Sequence, residues 1–179
     1  YYSINLIRRI HMRKYLLHIL IISFVFLLAP TAQIASSAET YEEYSKRMDE
    51  ERAVENAKEE VRKNPDDARA HYFLGNAYSN SGKYQKAIKS FKQAIRIDPD
   101  FAGAHIGLGD AYYKSSKYKE AIESYKQAIR IKPDDAKAHC KLSIAYLMLN
   151  DRGSALEQYK ILKNLDTELA NKLFNKIYK

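Results

Sequence analysis

The hexapeptide KQAIRI occurs at Lys92–Ile97 and again at Lys126–Ile131, 34 residues later, and a proline follows each copy after one intervening residue. Written in rows of that length, the chain falls into columns. Pro65, Pro99 and Pro133 share one, His71, His105 and His139 a second, and Leu74, Leu108 and Leu142 a third. Tyr78, Tyr112 and Tyr146 follow, then Ala87, Ala121 and Ala155, then Phe91, Tyr125 and Tyr159. A period of this size constrains the fold more than any other feature. Each row is one supersecondary unit that cannot bury its apolar face alone, so neighbours must stack.

Each row reads as two helices. Ala70, His71, Leu74, Ala77 and Tyr78 recur at the spacing of one helical face, and Tyr84, Ala87, Ile88, Phe91, Ala94 and Ile95 repeat the pattern. Asp67 is placed to cap the first helix, Gly82 to end it with positive φ, and the proline stops the second helix before the next aspartate starts the cycle again. Gly75, Gly109, Ala87 and Ala121 are small where two helices must approach closely, and the aromatics fill the space around them. After the third row, TELANKLFNKIYK sets Leu169, Leu173, Phe174, Ile177 and Tyr178 on one face, the pattern of a helix that covers the open end of a stack.

The N-terminal third is organised differently. Residues 1–38 carry Arg8, Arg9, Arg13 and Lys14 and no acid, followed by the apolar stretch Tyr15–Ala29, Pro30 and a run of small residues. These are the parts of a signal peptide, with Ser36 and Ala38 at −3 and −1 if cleavage falls before Glu39. The expected localisation is therefore export, to a periplasm or the exterior. The alternative is an uncleaved membrane anchor, although the apolar core is short against the ~20 residues of a spanning helix. Met12 opens a good signal start of its own, and Tyr1–His11 precede it. No cysteine lies near the cleavage region, and the lone Cys140 implies a free thiol or an intermolecular bond. Without the leader, 26 Lys and Arg stand against 22 Asp and Glu, so the formal charge of +8 falls to +4 and argues little for nucleic acid. Residues 39–67 read as one charged helix or a degenerate half-repeat docking on the first full row.

These columns resemble the tetratricopeptide-repeat (TPR) family, with its 34-residue unit of Leu-Gly, Tyr, Ala, aromatic, Ala and Pro. Residues 68–101 carry Leu74, Gly75, Tyr78, Gly82, Tyr84, Ala87, Phe91, Ala94 and Pro99. Residues 102–135 carry Leu108, Gly109, Tyr112, Tyr118, Ala121, Tyr125, Ala128 and Pro133. Residues 136–169 keep Leu142, Ala145, Tyr146, Ala155 and Tyr159 but replace the glycine by Ser143, the last alanine by Leu162 and the proline by Thr167. The resemblance implies an all-α, right-handed superhelical solenoid of antiparallel helix pairs, with 170–179 as a C-terminal capping helix. Some members hold acidic chaperone termini in a clamp of two lysines, two asparagines and an arginine. Asn76, Lys137 and Lys141 match three of its places, the last as lysine for arginine, but Tyr72 stands for the first lysine and Gly107 for the second asparagine, so that ligand is not expected.

No phosphate loop, HExxH, CxxC or nucleophile elbow occurs in the sequence. The histidines occupy a core-aromatic column at one-repeat intervals, too far apart to share a metal. The expectation is a protein without enzymatic activity, cofactor, metal, small-molecule substrate or nucleic-acid partner. The lysines Lys83, Lys86, Lys89 and Lys92 read as a solvated face, answered by Glu120 and Glu123 in the next repeat. The expected function is a scaffold that holds a peptide or protein in the groove of the first helices. Its candidate residues are Arg69, Tyr72, Asn76, Ile106, Asp110, Tyr113, Lys137, Cys140, Lys141, Ile144 and Leu147. Of these, Tyr72 and Ile144 are expected to stand outside the core. The N-terminal helix could instead shield the groove. A self-assembling envelope subunit is the alternative function, which leaves homo-oligomerisation open, and membrane contact is expected only if the leader is retained.

Overall fold

The computed structural model describes residues 40–178, and among them eight helices and no strand. The expected leader, including Tyr15–Ala29, lies outside the described residues. The helices are α1 (Tyr41–Lys63), α2 (Ala68–Asn80), α3 (Tyr84–Ile97), α4 (Ala102–Lys114), α5 (Tyr118–Ile131), α6 (Ala136–Met148), α7 (Arg152–Leu165) and α8 (Thr167–Ile177). The chain divides into two compact units, residues 1–45 and 46–179. The described part of the first contains a capping box: the Thr40 amide donates to the Glu43 carboxylate at 3.1 Å, and the Glu43 amide donates to the Thr40 hydroxyl at 3.2 Å.

The second unit is a solenoid of antiparallel pairs with a terminal cap, as the columns require. Each second helix lies between its own first helix and the next: α3 packs on α2 and α4, α5 on α4 and α6, and α7 on α6 and α8. Val54, buried in α1, stands one period before Ile88 and two before Ile122, both of which are also buried.

The turns repeat as faithfully as the helices. Gly82, Ser116 and Asn150 fill one column and all have positive φ, at 69°, 59° and 59°. At each, the left-handed residue's amide reaches back three residues. The following amide bonds the carbonyl of Tyr78, Tyr112 or Tyr146, at 2.8, 2.9 and 3.0 Å. A glycine is free there, whereas Ser116 and Asn150 adopt the conformation against their Cβ. Asp67 and Asp135 cap α2 and α6 through the amides of Arg69 and Ala138. The second repeat departs from the expected aspartate, because Phe101 takes the cap position with no side-chain bond and instead packs its ring 5.0 Å from Tyr72.

The histidine column has a bonding role. Nε2 of His71, His105 and His139 lies 2.8, 3.0 and 2.9 Å from the carbonyl of Pro65, Pro99 and Pro133 respectively. Each ring ties a first helix to the turn that precedes it. A carbonyl only accepts, so Nε2 carries the hydrogen.

The third repeat rearranges around its departures. Gly75 and Gly109 let the rings of Phe91 and Tyr125 lie directly on the first helices, and a Cβ at either would fall 2.7 or 2.5 Å from the ring. Ser143 forbids that approach, its hydroxyl donating to the Ala155 carbonyl at 2.9 Å. Tyr159 is accordingly only half-buried and reaches Phe174, 5.9 Å away. Leu162, where earlier repeats have alanine, fills the vacated volume and is 0% exposed. The cap buries Ala170, Leu173 and Ile177. Phe174 and Tyr178, expected on that same face, are instead 42% and 62% exposed, because the stripe that meets α7 is rotated toward Ala170.

Candidate functional site

The first helices α2, α4 and α6, together with α8, line a cleft of about 560 Å³. Asp110 lies at its centre. Lys141 from α6 donates to both Asp110 oxygens, at 2.7 and 2.8 Å, and the Tyr125 hydroxyl donates to the same carboxylate at 2.7 Å. The carboxylate thus joins the first helices of two repeats and fixes a ring of the core. Tyr113 and Ile144 complete the lining on α4 and α6, and Lys114 and Lys176 add two further ammonium groups. Among the described residues neither of these two lysines has an ion-pair partner.

Of the candidate residues, Asp110, Tyr113, Lys141 and Ile144 line this cleft. Arg69 and Lys137 are exposed near the starts of α2 and α6, and Asn76 is half-buried. Ile106 and Tyr113 pack on the cluster of Ala121, Ile122, Tyr125, Leu142 and Ala145. Cys140, Ile144 and Leu147 pack on Leu162, Ala170, Leu173 and Ile177, so the cap covers much of their apolar surface. Tyr72 is a core contributor, with its ring 5.9 Å from Phe91 and 5.0 Å from Phe101. The expectation that Tyr72 and Ile144 stand outside the core is therefore corrected. The Tyr72 ring lies against Phe91 and Phe101 between the first two repeats, and Ile144 packs on the cap.

Ser79, Asn80, Tyr84, Lys114, Tyr125 and Lys176 also line the cleft and were not among the candidates. Lys114 was within reach of sequence reasoning, since it follows Asp110 by one helical turn. Lys176 was not, because its position depends on how the cap docks. The lysine run on α3 is exposed, with Lys86 5.7 Å over the Tyr78 ring and Lys92 5.8 Å over that of Tyr112.

Burial pushes the Cys140 thiol above its usual range, and the nearby Lys176 and Lys141 only partly offset it. Burial also pushes the Tyr125 phenol far up, reinforced by the Asp110 charge and hydrogen bond. The unfolded phenol ionises near pH 10 whereas the folded one stays neutral, so its contribution is intact below pH 10 and is lost as pH rises beyond it. Stability should fall by up to about 1.4 kcal/mol per pH unit from this group above pH ~10. Urea midpoints between pH 9 and 11.5 should show a steeper alkaline limb for the native chain than for Tyr125→Phe, and equal limbs would refute the assignment.

The TPR repeat family model matches residues 75–116 and 109–150. A search of curated proteins finds no match. Among solved structures, the MamA protein is 29% identical, with 68% of this chain and 67% of that one covered at a TM-score of 0.62. A thermophilic TPR protein of Thermus thermophilus is 24% identical over 71% of this chain and 72% of its own, with a TM-score of 0.63. The first TPR of Spaghetti (RPAP3), bound to the HSP90 peptide SRMEEVD, is 23% identical over 62% of this chain and 90% of its own, with a TM-score of 0.59. The last two likenesses concern the fold alone.

Proposed function

This chain is a tetratricopeptide-repeat protein, and from that premise we propose that it is an exported scaffold, without catalytic activity, that holds an acidic peptide segment of a protein partner in the cleft between its first helices. The family's stacked helix pairs serve generally as protein-interaction surfaces. The observation that carries the reading is that Lys114, Lys141 and Lys176, from three separate helices, line one cleft that holds the single carboxylate of Asp110, which Lys141 alone binds. Asp110 neutralises one ammonium, and the other two are left for a ligand that brings its own carboxylates. Tyr84 and Tyr113 supply ring surface beside them, the amphipathic contact that anchors peptides at low entropic cost. The Spaghetti repeat bound to SRMEEVD gives a precedent for an acidic peptide on this fold, although Tyr72 and Gly107 here depart from the clamp pattern.

Export rests on the basic, apolar and small-residue succession of the leader, and the capping box that starts α1 at Thr40 directly follows the proposed cleavage point. One preparation tests both parts. The full chain, expressed with its leader and recovered from the compartment it reaches, should have a mass that starts near Glu39. A stable product retaining Tyr15–Ala29 would refute cleavage and make the chain an anchored protein. In the same material, Lys114→Glu with Lys176→Glu should weaken capture of the cross-linked partner about tenfold while helicity and melting hold. Lys86→Glu with Lys89→Glu on α3 should change binding only at low salt. Capture lost with the α3 pair and kept with the cleft pair would overturn the reading.

A further inference from the structure

A second cleft, of about 480 Å³, opens between α3, α4 and α5 and shares no residue with the first. Ile95, Leu108 and Tyr112 form its apolar surface, and His105 and Ser124 border it. The third repeat fills the matching place from within the chain, whereas the first, where the Ser90 hydroxyl donates to the Lys86 carbonyl, does not. Gln158 of α7 stands one period after Ser124, and its carboxamide lies 2.8 Å from Nδ1 of the buried His139. In the second repeat the Ser124 hydroxyl turns back on its own helix, donating to the Glu120 carbonyl at 2.9 Å. Nδ1 of His105 is then left without a hydrogen-bond partner among the described residues, and the ring is only half-buried.

The two rings are otherwise held alike, each by Nε2 on a proline carbonyl. With the hydrogen on Nε2, the neutral imidazole offers Nδ1 as an acceptor. A carboxamide satisfies it, since half a turn of its terminal torsion brings the NH₂ to face the ring. The rim carries both signs, Lys92 and Lys119 with Glu120 and Glu123, which suits a neutral polar side chain better than a charged one. A carboxylate also lacks the hydrogen that Nδ1 of the neutral ring requires.

We propose that this outer cleft is a second docking site, which takes a glutamine side chain of a partner protein in the place that Gln158 fills from within the chain one repeat later. The carboxamide donates to Nδ1 of His105, and the glutamine stem and an adjacent aliphatic residue cover Ile95, Leu108 and Tyr112. The site is independent of the acidic-peptide cleft, and the two can fail separately.

The probes are the capped tripeptides acetyl-Ile-Gln-Leu-amide and acetyl-Ile-Glu-Leu-amide, added to the ¹⁵N-labelled full chain at about millimolar concentration, the range of a contact this small. The glutamine peptide should shift the amides of His105, Tyr112 and Ser124 and the Nδ1 resonance of His105. The glutamate peptide should bind about tenfold more weakly, for want of one hydrogen bond. Ser124→Gln should close the cleft, abolish those shifts and move the His105 Nδ1 resonance without any peptide. Gln158→Ser should open the matching place in the third repeat and bring the same response to His139, which keeps the test decisive if Ser124→Gln fails to fold. Equal binding of both peptides, undiminished shifts in Ser124→Gln, or shifts confined to Asp110 and Tyr113 would each overturn the proposal.

Discussion

Phe91→Ala should lower the stability of the folded chain by about 3–5 kcal/mol, the range for removing a buried aromatic ring. Phe91 is 1% exposed and fills the space between two repeats, with its ring against Gly75 of α2 on one side and Gly107 of α4 on the other. Neither glycine has a side chain that could relax into the cavity, so the site collapses poorly and the cost lies toward the upper end. Stability in a repeat array is a sum of unit and nearest-neighbour terms, and this ring belongs to both. The melting midpoint followed at 222 nm should therefore drop by about 10 °C or more. The first repeat should also lose hydrogen-exchange protection before the third. A loss below about 1 kcal/mol would mean that the ring is not the joint between repeats that its position implies.

Gly109→Ala should cost about 2 kcal/mol even though alanine is the better helix former by about 1 kcal/mol. Its Cβ would meet the Tyr125 ring at 2.5 Å. That ring is 2% exposed and anchored through its hydroxyl to Asp110, so moving it breaks the hydrogen bond that also positions Lys141. The matching position of the third repeat provides the control. Ser143→Ala puts a Cβ where one already stands and removes only the bond to the Ala155 carbonyl, for a loss of about 1 kcal/mol. Urea unfolding of the two variants should rank them in that order, and a neutral Gly109→Ala would show that the ring yields more freely than its burial and bonding indicate.

The glycine column illustrates how far local reasoning reached. Small residues at 75 and 109 were legible as points of close approach, and Ser143 as a departure. That the departure moves a ring from the core to the cap, and lets Leu162 take its place, depends on three helices at once. The histidine column was legible as structural, but its bond to the proline carbonyl six residues earlier required the path of the turn.

What the sequence by itself determined is the solenoid: the period, the two faces per repeat, the caps at Asp67 and Asp135, the left-handed turn at Gly82 and the closing helix. All of these follow from side-chain spacing and backbone preference within a few turns of chain, and such local terms recur wherever the residues recur. Tertiary structure alone decided which first-helix residues remain available to a ligand. Tyr72 joins an aromatic layer, Cys140 and Leu147 pack against the cap, and Asp110 binds Lys141 across 31 residues. Those outcomes depend on how helices from different repeats are placed against one another. The pattern along one helix shows which side chains share a face, and only the packed neighbour determines whether that face is covered.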